Sequence, residues 1–334
     1  MNTIPTTFNT TLSSYTVVGG NERNASTGLS AVLLNRGERY PRYGLFEELG
    51  KIGFDYVLSI ESSFSRYDLE ALSHSFPYIR FILPKERLSP GEEINLAAAE
   101  LSSPLFFVLW SDLKMLRGGG AERMAERLLG TESSSSYKRL CTVPVIQDGR
   151  SETIPTLIGP ALMPDKKLKT TIKTIPFVPE KEGLPSLYPF DGIGIYDRER
   201  FMRLGGFDPF IKNFYWQLMD FGFRSSLWGE EIISTLLIKL SYEGIVPQEN
   251  STAGEGYLRF FLKNLAPVFR RDYAHVPLAR FPAYYRRRGD LFTAWDEFST
   301  ARSWVKTNRY RFVSDAKIIA GRFVNFGVDA EEGP

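Results

Sequence analysis

The chain has 334 residues, 43% hydrophobic and 24% charged, enough for one large domain or two ordinary ones around a substantial core. Its net charge of +2 provides no global attraction to a polyanion, so no nucleic-acid partner is expected. The single cysteine, Cys141, excludes an internal disulfide, and with only His74 and His275 no zinc site built from Cys and His is expected.

Residues 1–28, rich in Thr, Ser and Asn, read as a flexible segment without the basic start and apolar core of a secretion signal. No run reaches the roughly 18–20 apolar residues that cross a bilayer. The expected location is cytoplasmic, either free or peripheral at the inner face of the membrane.

From Leu29 onward, short apolar runs alternate with amphipathic stretches. Leu29–Leu34 reads as a strand between Gly28 and the loop Asn35-Arg36-Gly37. Tyr43–Ile52 carries Leu45, Leu49 and Ile52 at helical spacing. A second strand is predicted over 54–60, and Ser65 is a candidate cap for a helix bearing Leu69, Leu72 and Phe76. His74 falls on that helix and reads as structural. A third strand over 79–83 is closed by Pro84, and Pro90 opens a helix reaching residue 101. Leu105–Trp110 is too short for a helix and reads as a fully buried strand. Four such repeats predict a mainly parallel, doubly wound sheet. Residues 130–190, interrupted by polar runs at 133–136 and 166–173, read as loops and antiparallel edge strands. Helices are predicted over 196–204 and 230–241, beyond Gly254, and over 290–326.

In an open parallel sheet, ligands bind outside the carboxyl ends of the strands, near the point where strand order reverses. That rule puts Asn35 and Arg36, Glu61, and Ser111 with Asp112 on one rim, able to hold a nucleoside and a metal-bound diphosphate.

Several of these segments resemble family-two glycosyltransferases. Residues 30–37 (SAVLLNRG) are similar to the family's first strand, and 55–63 (DYVLSIESS) to its second strand, which ends in an acidic residue near the base. Residues 91–99 (GEEINLAAA), including Asn95, resemble the helix before the metal-binding strand, and 106–113 (FFVLWSDL) fall where the family carries Asp-x-Asp. The fullest match is 198–208 (RERFMRLGGFD), followed by 220–224 (DFGFR) and Gly229. The resemblance covers residues 29–235. It implies an α/β, GT-A-like mainly parallel sheet flanked by helices, divided as a flexible segment 1–28, a nucleotide-sugar and acceptor domain 29–250, and a helical extension 251–334. It implies sugar transfer from a nucleotide-diphosphate donor to a glycan or lipid-linked acceptor, with inversion. It also implies Mg²⁺ or Mn²⁺ bound through Asp112, and donor contacts from Asn35, Arg36, Glu61, Asn95, Ser111 and Asp112.

Two positions depart from the family. Trp110 stands where the first Asp of Asp-x-Asp belongs, and Gln217-Leu218 align with the family's Glu-Asp pair that supplies the base. An inverting transfer needs a carboxylate beside the acceptor hydroxyl. Asp220 and Asp191 are therefore the candidate catalytic residues, Asp191 because glycines around it admit a ligand. The alternative for Asp220 is a structural ion pair with Arg224, four residues on. His275 is a candidate third metal ligand or a satisfied surface residue. Gly118-Gly119-Gly120 reads as a turn or a mobile lid. The segment 280–289 combines aromatics with four arginines; it suits either an anionic membrane or lipid-linked acceptor, or a solvated face with its rings packed inward.

Overall fold

The computed structural model describes residues 13–20, 22–36, 42–61, 69–129 and 138–324. Gly37, Ser65 and the serines at 133–136 lie outside them.

In chain order the first half comprises β1 (Tyr15–Gly19), β2 (Leu29–Leu34), α1 (Tyr43–Ile52), β3 (Val57–Ile60), α2 (Leu69–Ser75), β4 (Ile79–Pro84), α3 (Pro90–Glu100), β5 (Leu105–Trp110), β6 (Leu113–Arg117) and α4 (Ala121–Leu129). The second half continues with β7 (Lys138–Gln147), β8 (Leu157–Asp165), β9 (Lys169–Phe177), β10 (Gly194–Asp197), α5 (Arg198–Leu204), α6 (Phe214–Leu227) and β11 (Glu230–Tyr242). Then come α7 (Glu255–Phe260), the hairpin β12 (Val268–Arg270) and β13 (Tyr273–His275), α8 (Phe281–Arg288), α9 (Leu291–Asn308) and α10 (Ala316–Val324).

Nine strands form one sheet in the order β1-β4-β3-β2-β5-β10-β7-β11-β6. Pairs β2–β3, β3–β4 and β2–β5 are parallel, as the βα repeats predict. Every residue of β2 and β5 is buried, because central parallel strands are covered on both faces; this is why they read as unbroken apolar runs. The capping box at Ser89 and Glu92, with Pro90 behind it, starts α3 where the sequence places it. Cys141 is 1% exposed on β7 and packs as a small hydrophobe.

Three expectations are corrected. β1 pairs antiparallel with β4, so the sheet begins well before residue 29. Residues 230–241 are not a helix: β11 pairs parallel with β7 and antiparallel with β6. Its Ile and Leu residues fit a helical period, but Ile232, Ile233, Thr235 and Ile238 also suit a pleated strand, and pairing on both sides decides the outcome. β7, expected at an edge, lies inside the sheet between β10 and β11. His74, read as structural, is exposed on α2.

Candidate active site

Strand sense decides which residues meet. β10 runs antiparallel to both β5 and β7, and β7 is parallel to β11, so β5, β7 and β11 all end on one rim. β2 lies between β3 and β5, which makes the β2–β5 boundary the place where strand order reverses. The exits of β2, β3, β5 and β11 and the entry to β10 therefore share this rim. A cleft of about 400 Å³ opens there, walled in part by Arg36, Trp110, Asp191, Leu218 and Glu249.

Arg36 stands at its centre. Nη2 donates to both oxygens of Asp191 at 2.7 Å, and Nη1 lies 3.6 Å from Asp112 Oδ2. The guanidinium carbon is 3.9 Å from the centroid of the Trp110 ring. The Arg36 backbone N–H donates to Ser111 Oγ at 3.3 Å. Asp191 also accepts from Tyr242 Oη at 2.9 Å, while Trp110 Nε1 donates to the Asp191 carbonyl at 2.9 Å. Burial raises the Asp191 carboxyl to about 6 even with Arg36 beside it. Its backbone is left-handed, at φ 54°, a strained conformation for a non-glycine residue that the surrounding bonds must hold. Gly192 follows at φ 73°; a Cβ there would come within 3.1 Å of the Phe214 ring.

The neighbouring part of the rim is a second polar cluster. Arg42, just ahead of α1, donates to both Glu61 oxygens at 2.6 and 2.8 Å, to Asn35 Oδ1 at 2.9 Å and to Ser59 Oγ at 3.0 Å. Ser59 Oγ donates to Glu61 at 2.7 Å, and Asn35 Nδ2 donates to the Ile60 carbonyl at 2.5 Å. Sequence reasoning put Asn35 and Glu61 here but passed over Arg42.

Glu249 was also missed. It follows β11 in the segment 247–250 and lines the cleft. Tyr188 Oη donates to its Oε2 at 2.9 Å, whereas its Oε1 is buried without a hydrogen-bond partner among the described residues. Burial pushes this carboxyl up to about 7. Reading 230–241 as a helix hid it, since a strand there would have put its exit on the ligand-binding rim.

No family model matches the chain, and no curated protein does. Solved structures do. GalNAc-T7 in complex with UDP, GalNAc and Mn²⁺ has a TM-score of 0.57 at 12% identity, over 89% of this chain and 58% of that one. The fold is GT-A. TarS of S. aureus (TM-score 0.44, 13% identity, 70% of this chain and 38% of that one) is a looser likeness to this GT-A chain. So is the Pyrobaculum calidifontis mannosyltransferase PcManGT with GDP-Man and Mn²⁺ (0.41, 10%, 83% and 69%).

Three residues expected in the GT-A site lie elsewhere. Asn95, 3% exposed, bonds through both ends of its amide to the Phe207 backbone at 2.8 Å and holds α3 to the turn after α5. Asp220 is 0% exposed inside α6, 2.8 Å from Arg224 Nη2 and from Lys263 Nζ, and accepts from Asn264 at 2.9 Å. An acceptor hydroxyl has no route to it, so its place is that of the structural ion pair. His275 ends β13, which packs on α9 and the turn at 309–311. That turn leads to Val313, bonded to Leu227 at the far end of α6, whereas Phe214 at the near end meets Trp110. A helix of that length spans about 20 Å, so His275 is remote from Asp112.

Among the described residues, the protein's own side chains do not complete a Mg²⁺ or Mn²⁺ centre, so donor phosphates and water would have to supply most of the ligands beside Asp112. Hard divalent ions take six or more oxygen ligands. Here Trp110 replaces one strand-end carboxylate, and Asp112 and Asp191 both face a guanidinium. Among the described residues, no group of three His, Cys, Asp or Glu side chains could hold such an ion. A larger cavity of about 560 Å³ lies beneath the C-terminal helices, but Asp208, Arg259 and Lys263 on its wall are paired with one another.

Proposed function

We propose that this chain transfers a sugar from a nucleoside diphosphate donor to a hydroxyl of a glycan or lipid-linked acceptor, with inversion at the sugar carbon. The observation that carries the reading is the cleft at the point where strand order reverses in a GT-A sheet, with a cation, two strand-end polar groups and carboxylates around it. Arg36 Nη1 is buried without a hydrogen-bond acceptor among the described residues, which supports a contact with a donor phosphate. Asp112 and Asp191 orient that guanidinium. The Asn35, Ser59, Glu61 and Arg42 cluster, at the β2 and β3 exits, supports contact with the nucleoside.

Reaction would proceed by one displacement. The acceptor oxygen forms its bond to the sugar carbon as the bond to the phosphate oxygen breaks, and that electron pair leaves with the diphosphate. Arg36 stabilises the charge developing there, and the acceptor proton goes to a carboxylate on the cleft wall.

The acceptor side has a second support. α8 carries Arg286 and Arg287 beside exposed Tyr285, and the following helix exposes Phe292 at 85% and Trp295 at 51%. Such a surface suits a lipid-linked acceptor at an anionic membrane. Arg288, by contrast, is paired with Glu297, and no helix among the described residues is long and apolar enough to cross a membrane.

A panel of nucleotide-sugars assayed for released nucleoside diphosphate tests the reading. Release from one donor, reduced in Arg36→Ala, is the expected result. Binding without release under every condition would favour a catalytically inactive binding protein, the reading suggested by the apolar Trp110 and Leu218. Absence of nucleotide binding would defeat both.

A further inference from the structure

The displacement needs a carboxylate with an oxygen free to take a proton, and the cleft wall distinguishes its carboxylates on that point. Both oxygens of Asp191 accept from Arg36, and Oδ2 also accepts from Tyr242, so a proton arriving there would displace one bond at Oδ1 or two at Oδ2. Leu218, on the same wall, carries no ionisable group. Glu249 differs from both. Asp112 Oδ1 is likewise buried without a partner among the described residues, but Asp112 stands beside Arg36 behind the cleft lining, whereas Glu249 is part of it. Tyr188 fixes one of its oxygens at 2.9 Å, and the other is buried and unpartnered among the described residues. An unpaired carboxylate oxygen removed from water is costly unless a ligand completes it. A hydroxyl donor entering the cleft would do so.

We propose that Glu249 is the general base, its Oε1 accepting the acceptor hydroxyl proton as that oxygen attacks the sugar carbon, with Tyr188 as the positioning residue. The inference rests on the cleft being the donor and acceptor site. Atoms and charge balance without a further reactant: the proton moves to Glu249 and the electron pair of the broken bond to the departing diphosphate. The burial that raises this carboxyl to about 7 suits the role, because a base near the working pH is both largely ionised and basic enough to take the proton.

The test measures kcat/KM against pH in wild type, Glu249→Gln and Tyr188→Phe, alongside UDP and GDP binding by calorimetry. Wild type should show an acid limb that levels near pH 7. Glu249→Gln should lose that limb and fall by roughly 10²–10⁴-fold, with the affinity for UDP or GDP within about threefold of wild type. Retained nucleotide binding shows that the variant is folded. Tyr188 stabilises the ionised carboxylate, so Tyr188→Phe should move the limb to higher pH, an effect that a merely structural role would not produce. If Glu249→Gln keeps the wild-type rate and limb, or if Asp191→Asn alone removes the limb, Glu249 is not the base although the transferase reading stands. A wild-type chain that binds neither nucleotide and releases none from any donor overturns the transferase reading, and the base with it.

Discussion

Lys263 Nζ lies 2.7 Å from Asp208 and 2.8 Å from Asp220, so one buried ammonium ties the turn after α5 to the middle of α6. Arg224 and Arg259 complete the group from either side. Removing one partner leaves an uncompensated buried charge, which typically costs about 3–5 kcal/mol. Lys263→Met should therefore lower the unfolding free energy by about that amount in denaturant titrations. Asp220→Asn should also destabilise, and whatever folded protein remains should turn over at the wild-type rate per molecule. A normal stability with a lost rate would return Asp220 to the chemistry.

The same group sets the acid limit. Burial works against charge on Asp208 and Asp220, but Lys263 and the arginines outweigh it and hold both carboxyls below the usual carboxylate range. A depressed folded value stabilises above the unfolded value of 3.8, and that stabilisation is lost as pH falls through the folded values. The melting temperature should drop steeply below about pH 4. In Lys263→Met this drop should be shallower.

Glu249 and Asp191 have the opposite sign. Their folded values are raised to about 7 and about 6, from 4.5 and 3.8. Their contribution to stability is fully present below the unfolded values and is lost as pH rises through the folded ones. Wild type should thus lose stability between pH 5 and pH 8, and Glu249→Gln should lose less over the same interval. Equal slopes in the two proteins would show that Glu249 is not buried as described.

Arg36 compensates two carboxylates that would otherwise face each other. Mn²⁺ added without nucleotide should leave the melting temperature of wild type unchanged. In Arg36→Ala the freed pair of carboxylates favours a cation, so the same addition should raise it. UDP or GDP affinity should fall about tenfold in that variant, as expected for the loss of a charge-assisted bond. A Mn²⁺ response already present in wild type would contradict this account.

Gly222 on α6 faces the carbonyl of Leu187, and a Cβ at 222 would collide with that backbone. Since a backbone carbonyl cannot rotate away as a side chain can, Gly222→Ala should cost roughly 1–3 kcal/mol, read as a lower midpoint in denaturant. A neutral substitution would mean that α6 can slide.

The parallel half of the fold was legible because its signals are local. Leu29–Leu34 and Leu105–Trp110 are apolar without a break, Pro90 marks a helix start, and the rim rule then places Arg36 and Asp112. What failed depended on distant partners. β11 carries a pattern that suits two periods, and only β7 and β6 choose between them. Glu249 was lost with that strand, since a residue beyond a helix has no reason to reach the rim. Asp220, Asn95 and His275 matched motifs or metal chemistry by residue type, but type does not report burial. Asp220 instead ties α6 to the helical turn that follows α7.

Because β10 is bonded to β5 on one side and to β7 on the other, the two halves of the rim belong to one uninterrupted slab of paired backbone. Opening or closing the cleft by swinging one half against the other would break that ladder. Adaptation to ligands of different size then falls to the connections that leave the sheet, which under the proposed transfer favours a narrow donor range.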